Sequence, residues 1–231
     1  MEWLLANQSK AYWIAFVGVF MAAAIAESIR PARVIARVER RWLRHGALFA
    51  AGASVARLVL RLSPVGVALL RADSEYGLLN RLPFWPACVL TIVTLDFVHY
   101  ATHWTYHHVG WFWRMHSVHH SDADYDVSTA VRFHPLEIVA GSWSTLVAVA
   151  LLAPPPSAVL CSEFLTIVMN LAVHANVDYP VWPENSIYLK QREIIPGVVD
   201  NEAPDVKVPG PVPLSTDLPC GLDEPAPVER N

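Results

Sequence analysis

The sequence has few cysteines and few charged residues, and each shortage excludes a class of protein. Its three cysteines, Cys88, Cys161 and Cys220, are far apart, which excludes a disulfide framework and a cysteine-based zinc motif. Only 16% of the residues are charged and 54% are hydrophobic, whereas about a quarter of a soluble domain is charged. The net charge of −4 leaves no basic surface for nucleic acid. The composition therefore indicates an integral membrane protein of one domain.

Residues 1–83 are predicted to anchor the chain in the membrane. Ala11 to Ala26 is an apolar run that extends through Ile29, and arginines follow it. Basic residues favour the cytoplasmic flank of a span, so the N-terminus is predicted outside and the arginines inside. A cleaved signal peptide is the alternative, because Ala24-Ile25-Ala26 resembles a cleavage site. The basic residues follow the apolar run instead of preceding it, which favours the anchor.

Two stretches complete this N-terminal region. Pro31 to His45 is predicted to form a basic amphipathic helix on anionic headgroups, with His45 as a solvated surface residue. Gly46 to Leu70 is apolar but contains Arg57 and Arg61, which are costly at mid-bilayer. It either spans with both arginines facing protein or water, or it lies at the interface.

Three more apolar segments follow and predict a polytopic all-α membrane protein. Phe84 to about Thr102 is a further span, and Leu136 to Ala153 and Ala158 to His174 form either two spans or a hairpin that enters and returns. In both cases the chain returns to the side it left, so His174 lies on the side of His134. Residues 84–180 thus form a histidine-rich region, and residues 181–231 are predicted to be a disordered, proline-rich acidic tail.

Eight of the ten histidines fall between Asp96 and Glu137: His99, His103, His107, His108, His116, His119, His120 and His134. The first three recur every four residues, and the triplet that ends at His120 has i, i+3, i+4 spacing, so each set shares one face of a helix. Two such helices facing each other would offer five or six imidazoles to a pair of transition-metal ions. The cluster is predicted to face the cytoplasm.

The main candidate ligands are His103, His107, His116, His119 and His120. His174 alone on an apolar helix would normally be a core histidine, but its predicted side of the membrane favours a ligand.

Four other residues remain open between ligation, orientation of ligands and structural roles. His99 and His108 either bind metal, contact the metal ligands without binding metal, or face lipid headgroups. His134 either orients a ligand or caps the following helix. Asp96 either accepts a proton from a ligand's far ring nitrogen or faces water. Asp122, Asp124 and Asp126 are predicted to form a solvated loop and not to bind metal.

A nitrogen-rich dinuclear site beside a membrane suits activation of O₂ and attack on a lipid C–H bond, because no side chain has this redox chemistry. A metal transporter is disfavoured, since the histidines gather at one face instead of along a path through the spans.

The residues resemble the fatty acid hydroxylase/sterol desaturase family over roughly residues 84–180. The similar motifs are Asp96-Phe97-Val98 with Tyr100, His103-x-x-x-His107, Trp113-Arg114-x-His116-x-x-His119-His120-Ser121, Thr129-Ala130-x-Arg132-Phe133-His134-Pro135-x-Glu137 and His174-Ala175-Asn176. The resemblance implies two non-haem Fe ions, O₂ as co-substrate, and hydroxylation or desaturation of a fatty acyl or sterol substrate. It also implies an electron-donor protein of reductase, cytochrome or ferredoxin type.

The resemblance implies six iron ligands: His103, His107, His116, His119, His120 and His174. The family's final His-x-x-His-His element has no counterpart, because no histidine follows His174. A truncated or frame-disrupted product is the expected cause. The second iron is then expected to be lost or weakly bound, and the alternative function is a non-catalytic member with a partial metal site.

Overall fold

The computed structural model describes residues 1–35, 38–75, 77–122 and 124–178. Within these ranges the secondary structure is helical, apart from one isolated β-bridge between Pro31 and Val177. The elements in chain order are α1 Glu2–Ala6, α2 Gln8–Ile29, α3 Val38–Leu60, α4 Pro64–Arg71, α5 Phe84–His108, α6 Gly110–His120, the 3-10 helix Val127–Val131, α7 Pro135–Leu152 and α8 Pro156–His174. The predicted acidic tail, 181–231, lies outside the described residues.

In the part of the chain that the structure describes, five helical segments are long and apolar enough to cross a membrane: Gln8–Ile29, Val38–Arg71, Phe84–His108, Pro135–Leu152 and Pro156–His174. Many of their large apolar side chains, such as Ile14 of α2 and Val93 of α5, are exposed, as expected of a surface that faces lipid. The prediction of an all-α polytopic membrane protein is therefore confirmed. The cytoplasmic side assigned to the histidines stays a prediction.

The basic segment that follows α2 differs from its prediction. Residues 31–35 are not helical, and the next helix, α3, begins only at Val38 and continues to Leu60. The Arg41 side chain pairs with Asp122 and Asp126 instead of pointing at headgroups. The prediction of a surface helix over Pro31 to His45 was wrong because the partners of Arg41 lie more than 80 residues further along the chain.

The ambiguous apolar segment after His45 consists of two helices. Arg61 follows α3 with a left-handed φ of 57°, and α4 then begins at Pro64. The Ser63 side chain caps α4 by accepting a hydrogen bond from the Gly66 amide at 2.9 Å. Because the chain turns here, α4 packs against α7 and α8.

The chain reverses direction between α7 and α8, which we call the α7–α8 hairpin, and both helices pack against α4 and α5. Ala153 ends α7 in the left-handed conformation with φ 46°, and the prolines that follow begin α8. The amides of Leu78 and Leu79 donate to the Leu152 carbonyl at 3.1 and 2.9 Å and close this end. The hairpin therefore carries His174 back to the end of the molecule where α7 began.

Candidate metal centre

One extended residue sets the two histidine-rich helices against each other. Helix α5 runs to His108, Val109 is extended with φ −104° and ψ 113°, and α6 begins at Gly110. Because the chain bends at Val109, the last turns of α5 contact α6. The histidines at the end of α5 therefore lie close to those of α6.

Four imidazoles from these helices converge in what we call the four-histidine cluster: His103, His107, His116 and His120. One ring nitrogen from each lies within 4.8 Å of the others. The Nε2 atoms of successive members are 3.1, 3.2 and 3.0 Å apart along the series. Ligand nitrogens at about 2.0–2.1 Å from a metal ion lie about 3 Å from their neighbours. The spacing fits four nitrogens around one ion.

His119 and His174 form a second group beside the cluster, the histidine pair. Their Nε2 atoms are 3.3 Å apart. The His119 ring centroid lies 5.4 Å from that of His116 and 5.1 Å from that of His120. The structure thus brings together all six predicted ligands, with four in one group and two in the other.

Hydrogen bonds fix the protonation of one histidine in each group. His116 Nδ1 lies 2.6 Å from Glu137 Oε1, and His174 Nδ1 lies 2.6 Å from the Asn170 carbonyl oxygen. A carboxylate or carbonyl oxygen only accepts, so each Nδ1 carries the proton. The Nε2 lone pairs of His116 and His174 are then free and point at the other imidazoles, as ligation requires.

Two of the three α6 histidines, His119 and His120, are held neutral. Burial, followed by the charges of neighbouring imidazoles, lowers the pKa of His120 to about 3. The same causes lower the pKa of His119 well below its ordinary value of 6.5. Both rings are therefore uncharged at neutral pH, the state in which imidazole binds a metal ion.

Glu137 belongs to the motif that begins at Thr129, and the structure places its side chain against His116. It lies in the first turn of α7, and its side chain is buried. Its Oε1 accepts from His116, while Oε2 has no hydrogen-bond partner among the described residues. The available signal was a glutamate in the first turn of a helix that opens with His134-Pro135.

Asp96 and His99 lie away from the converging nitrogens. The Asp96 side chain is exposed, and within the described part of the chain it makes no hydrogen bond to a histidine. His99 Nε2 lies 3.2 Å from the Thr145 hydroxyl of α7. His99 therefore faces α7 within the spans, one helical turn before the cluster residue His103.

His108 and His134 have structural partners. His108 Nδ1 donates to the Trp104 carbonyl at 2.7 Å, and its exposed ring stacks on the Trp104 indole. His134 is the N-cap of α7, and its Nδ1 accepts from the Leu136 amide at 3.2 Å. Of the two alternatives for His134, capping is the one the structure has.

An ionic network lies next to α6 and connects it to α3: Arg41, His45, Asp122, Asp126 and Arg132. Arg41 donates to Asp122 at 2.7 Å and to Asp126 at 2.8 Å, and Arg132 lies 3.2 Å from Asp122. Burial raises the pKa of Asp122, but the hydrogen bond and charge of Arg41 outweigh it, so the net pKa is lowered.

The predictions of a solvated His45 and a solvated aspartate loop were therefore wrong for three residues. His45 and Asp126 are buried, and only 9% of the Asp122 side chain is exposed. His45 Nδ1 lies 2.7 Å from the Ser128 hydroxyl, which belongs to the 3-10 helix. The network fixes the segment between α6 and α7.

A cavity of about 510 Å³ lies within the spans; His99 lines it, whereas the six converging histidines do not. Tyr106, Phe133 and Glu137 border its near end, and Phe133 stacks on His119 with ring centroids 4.9 Å apart. Gln8 and Ser63 line its far end. Its volume lies within the range of about 300–1,000 Å³ typical of ligand pockets. Side chains that contact the converging imidazoles therefore form the near end of the cavity.

The chain is similar to a known protein family. The family model for fatty acid hydroxylase matches residues 88–194, which include all six converging histidines and Glu137. No solved structure matches the chain.

Proposed function

We propose, from the membership of residues 88–194 in the fatty acid hydroxylase family, that this chain is a membrane-embedded di-iron oxidoreductase that hydroxylates or desaturates a lipid. The observation that carries the proposal is the convergence of four imidazole nitrogens beside a cavity within the spans. The family itself indicates a lipid-modifying oxygenase. Iron, the dinuclear site and the reaction type are our inference.

The donor set fits iron. Imidazole is a suitable ligand for iron as well as for zinc, copper and nickel, and lipid oxidation selects a redox-active member of that group. The four-histidine cluster would hold one ion, and His119 and His174 would contribute to a second. Bound iron supplies the electron transfer to O₂ and the oxidising power for C–H cleavage, which no side chain has.

The protein's own residues would orient the ligands and the substrate. Glu137 holds the Nδ1 proton of His116 and so aims its Nε2 into the cluster. Tyr106 donates its hydroxyl to the Glu137 carbonyl at 3.1 Å, which fixes the start of α7. Phe133 and the apolar wall of the cavity exclude water from the lipid chain. The substrate enters laterally from the bilayer, and an electron-donor protein acts from the aqueous side.

A second function is the binding of one metal ion without oxidation. The observation that favours it is the small number of ligands in the histidine pair. It contributes only two imidazoles within the described ranges, fewer than the usual four ligands of a bound metal ion.

Oxidation of lipid under ¹⁸O₂ separates these functions. The iron-loaded chain in lipid nanodiscs would be given ferredoxin, ferredoxin reductase and NADPH, and the extracted lipids analysed by mass spectrometry. We expect ¹⁸O incorporation or loss of two hydrogens that requires O₂ and disappears in His116→Ala. His108→Ala is the matched control, because His108 ends the same helix as His107 outside the cluster, and it should retain the product. Bound iron without an oxygen-dependent product would contradict the oxidoreductase and support the second function.

A further inference from the structure

We propose that the far end of the cavity is a binding site for a hydrogen-bonding group of the lipid substrate, with Glu163 and Tyr12 as the recognition residues. The substrate is then a lipid with a hydroxyl group remote from the oxidised carbon. This orientation rests on the proposed function, which assigns the oxidised carbon to the end of the cavity that Glu137 borders.

Glu163 is the first observation. It lies within α8, a candidate membrane span, where a carboxyl group is costly unless it faces a partner or a cavity. Its side chain is half-buried and lines the cavity. Among the described residues it has no hydrogen bond and no ion pair. Its hydrogen-bonding capacity is therefore available to a ligand.

Tyr12 is the second observation. It comes from α2, lines the same cavity and interacts electrostatically with Glu163. A phenol and a carboxyl group together can both donate and accept hydrogen bonds, as a hydroxyl ligand requires.

Two polar pairs of this region are already formed within the protein. His99 pairs with Thr145 across α5 and α7 at 3.2 Å. Ser63 pairs with Gln8 at 2.8 Å. Among the residues that line the cavity, Glu163 is the one carboxyl group besides Glu137, which already accepts from His116.

The depth of Glu163 indicates which lipids fit. Glu163 precedes His174 by eleven residues of α8, which is about 16 Å at 1.5 Å per residue. Half of a hydrocarbon core of about 30 Å is about 15 Å, so Glu163 lies near the middle of the bilayer. An acyl chain anchored by its headgroup on the histidine side brings only methyl and methylene groups to this depth. A lipid with a hydroxyl at its remote end satisfies Glu163 and Tyr12.

Equilibrium binding of two probes that differ only in a hydroxyl group tests this site. Unlabelled octadecan-1-ol and octadecane would compete with radiolabelled octadecan-1-ol for the full chain in detergent micelles. We expect the wild type to prefer the alcohol by about tenfold, the size of one or two net hydrogen bonds. Glu163→Leu should reduce the preference to less than about twofold, because octadecane binding is retained while the hydrogen bonds are lost. Glu163→Gln should keep most of it, since the amide still donates and accepts.

Thr91→Val is the matched control, because Thr91 is a buried polar residue of α5 that does not line the cavity. It should bind both probes like the wild type. A wild type without preference, or a Glu163→Leu chain that keeps it, would overturn the proposal. If Glu163→Leu does not fold, Tyr12→Phe takes its place and should lower the preference by about threefold; an unchanged preference there would also overturn it.

Iron content of the same samples distinguishes this proposal from the proposed function. Glu163→Leu should lose the alcohol preference and keep the iron of the wild type. Absence of iron from the wild type would contradict the proposed function and leave the binding comparison valid. An unchanged preference with iron present would contradict only the alcohol site.

Discussion

The four-histidine cluster and the histidine pair lie side by side, yet they are assembled differently. The cluster takes its imidazoles from two consecutive helices joined by Val109, so its members are close in sequence. The pair joins His119 of α6 to His174 of α8, 55 residues apart, and depends on the α7–α8 hairpin. Two neighbouring helices therefore suffice to bring four nitrogens together, whereas a second site needs long-range packing and additional ligands. We expect one tightly and one weakly bound ion.

Loss of a cluster ligand is expected to have the largest effect. His116→Ala removes a nitrogen close to both His107 and His120 and leaves Glu137 without its partner. The affinity for the first ion should fall by more than the roughly 10–100-fold that loss of an orienting group costs. Iron titration of the metal-free protein measures this, with His108→Ala as the control. Equal affinities in the two variants would remove His116 from the site.

Loss of the carboxylate behind His116 is expected to have the next largest effect. Glu137→Gln weakens the hydrogen bond that holds His116 in its tautomer, so the affinity of the first ion should fall roughly 10–100-fold. Asp96→Asn is the matched control, because Asp96 is exposed on α5 and should leave the affinity unchanged. The opposite result, with Asp96→Asn the more harmful change, would contradict Glu137 as the carboxylate that orients His116.

Loss of the histidine pair should affect only the second ion. His174→Ala removes one of two imidazoles from the weaker group, so the weak phase of an iron titration should disappear. The affinity of the tight phase should change by less than about threefold, since its four nitrogens remain. Disappearance of both phases would contradict the division into a cluster and a pair.

The ionic network should affect stability more than metal binding. Asp122→Asn weakens its buried interactions with Arg41 and Arg132 and should lower the free energy of unfolding by about 1–3 kcal/mol, measured in detergent with a chemical denaturant. Asp178→Asn is the control, because Asp178 pairs with Arg30 at the surface, where side chains are 57% and 64% exposed. Similar losses in the two variants would contradict a structural role of the buried network.

This stabilisation should depend on pH in a defined direction. The pKa of Asp122 is lowered from its ordinary value of 3.8 in the folded protein, so its contribution is present above pH 3.8. It is lost as the pH falls through the lowered pKa, and the stabilities of wild type and Asp122→Asn should then converge. A difference that grows on acidification would contradict this assignment.

The return of the chain between α7 and α8 and the histidine cluster could be predicted because their signals are local. Prolines begin both α7 and α8, and the four-residue spacing of His103 and His107 fixes a shared face. The convergence of the two histidine sets followed from these short-range patterns.

Long-range partners could not be predicted from the same patterns. A run of arginines has the composition of a membrane-surface helix, yet Arg41 is paired with Asp122, 81 residues away. Glu137 is an ordinary first-turn acid of a helix until the fold brings it against His116, 21 residues earlier. Such contacts depend on how the helices pack, which spacing within one helix does not encode.

Iron X-ray absorption of the protein loaded with one equivalent of iron tests whether the four-histidine cluster binds iron. We expect about four imidazole nitrogens at about 2.0–2.2 Å from iron, with the multiple-scattering pattern of the ring, and loss of that pattern in His116→Ala. A shell of oxygen or sulfur ligands without imidazole scattering would contradict it.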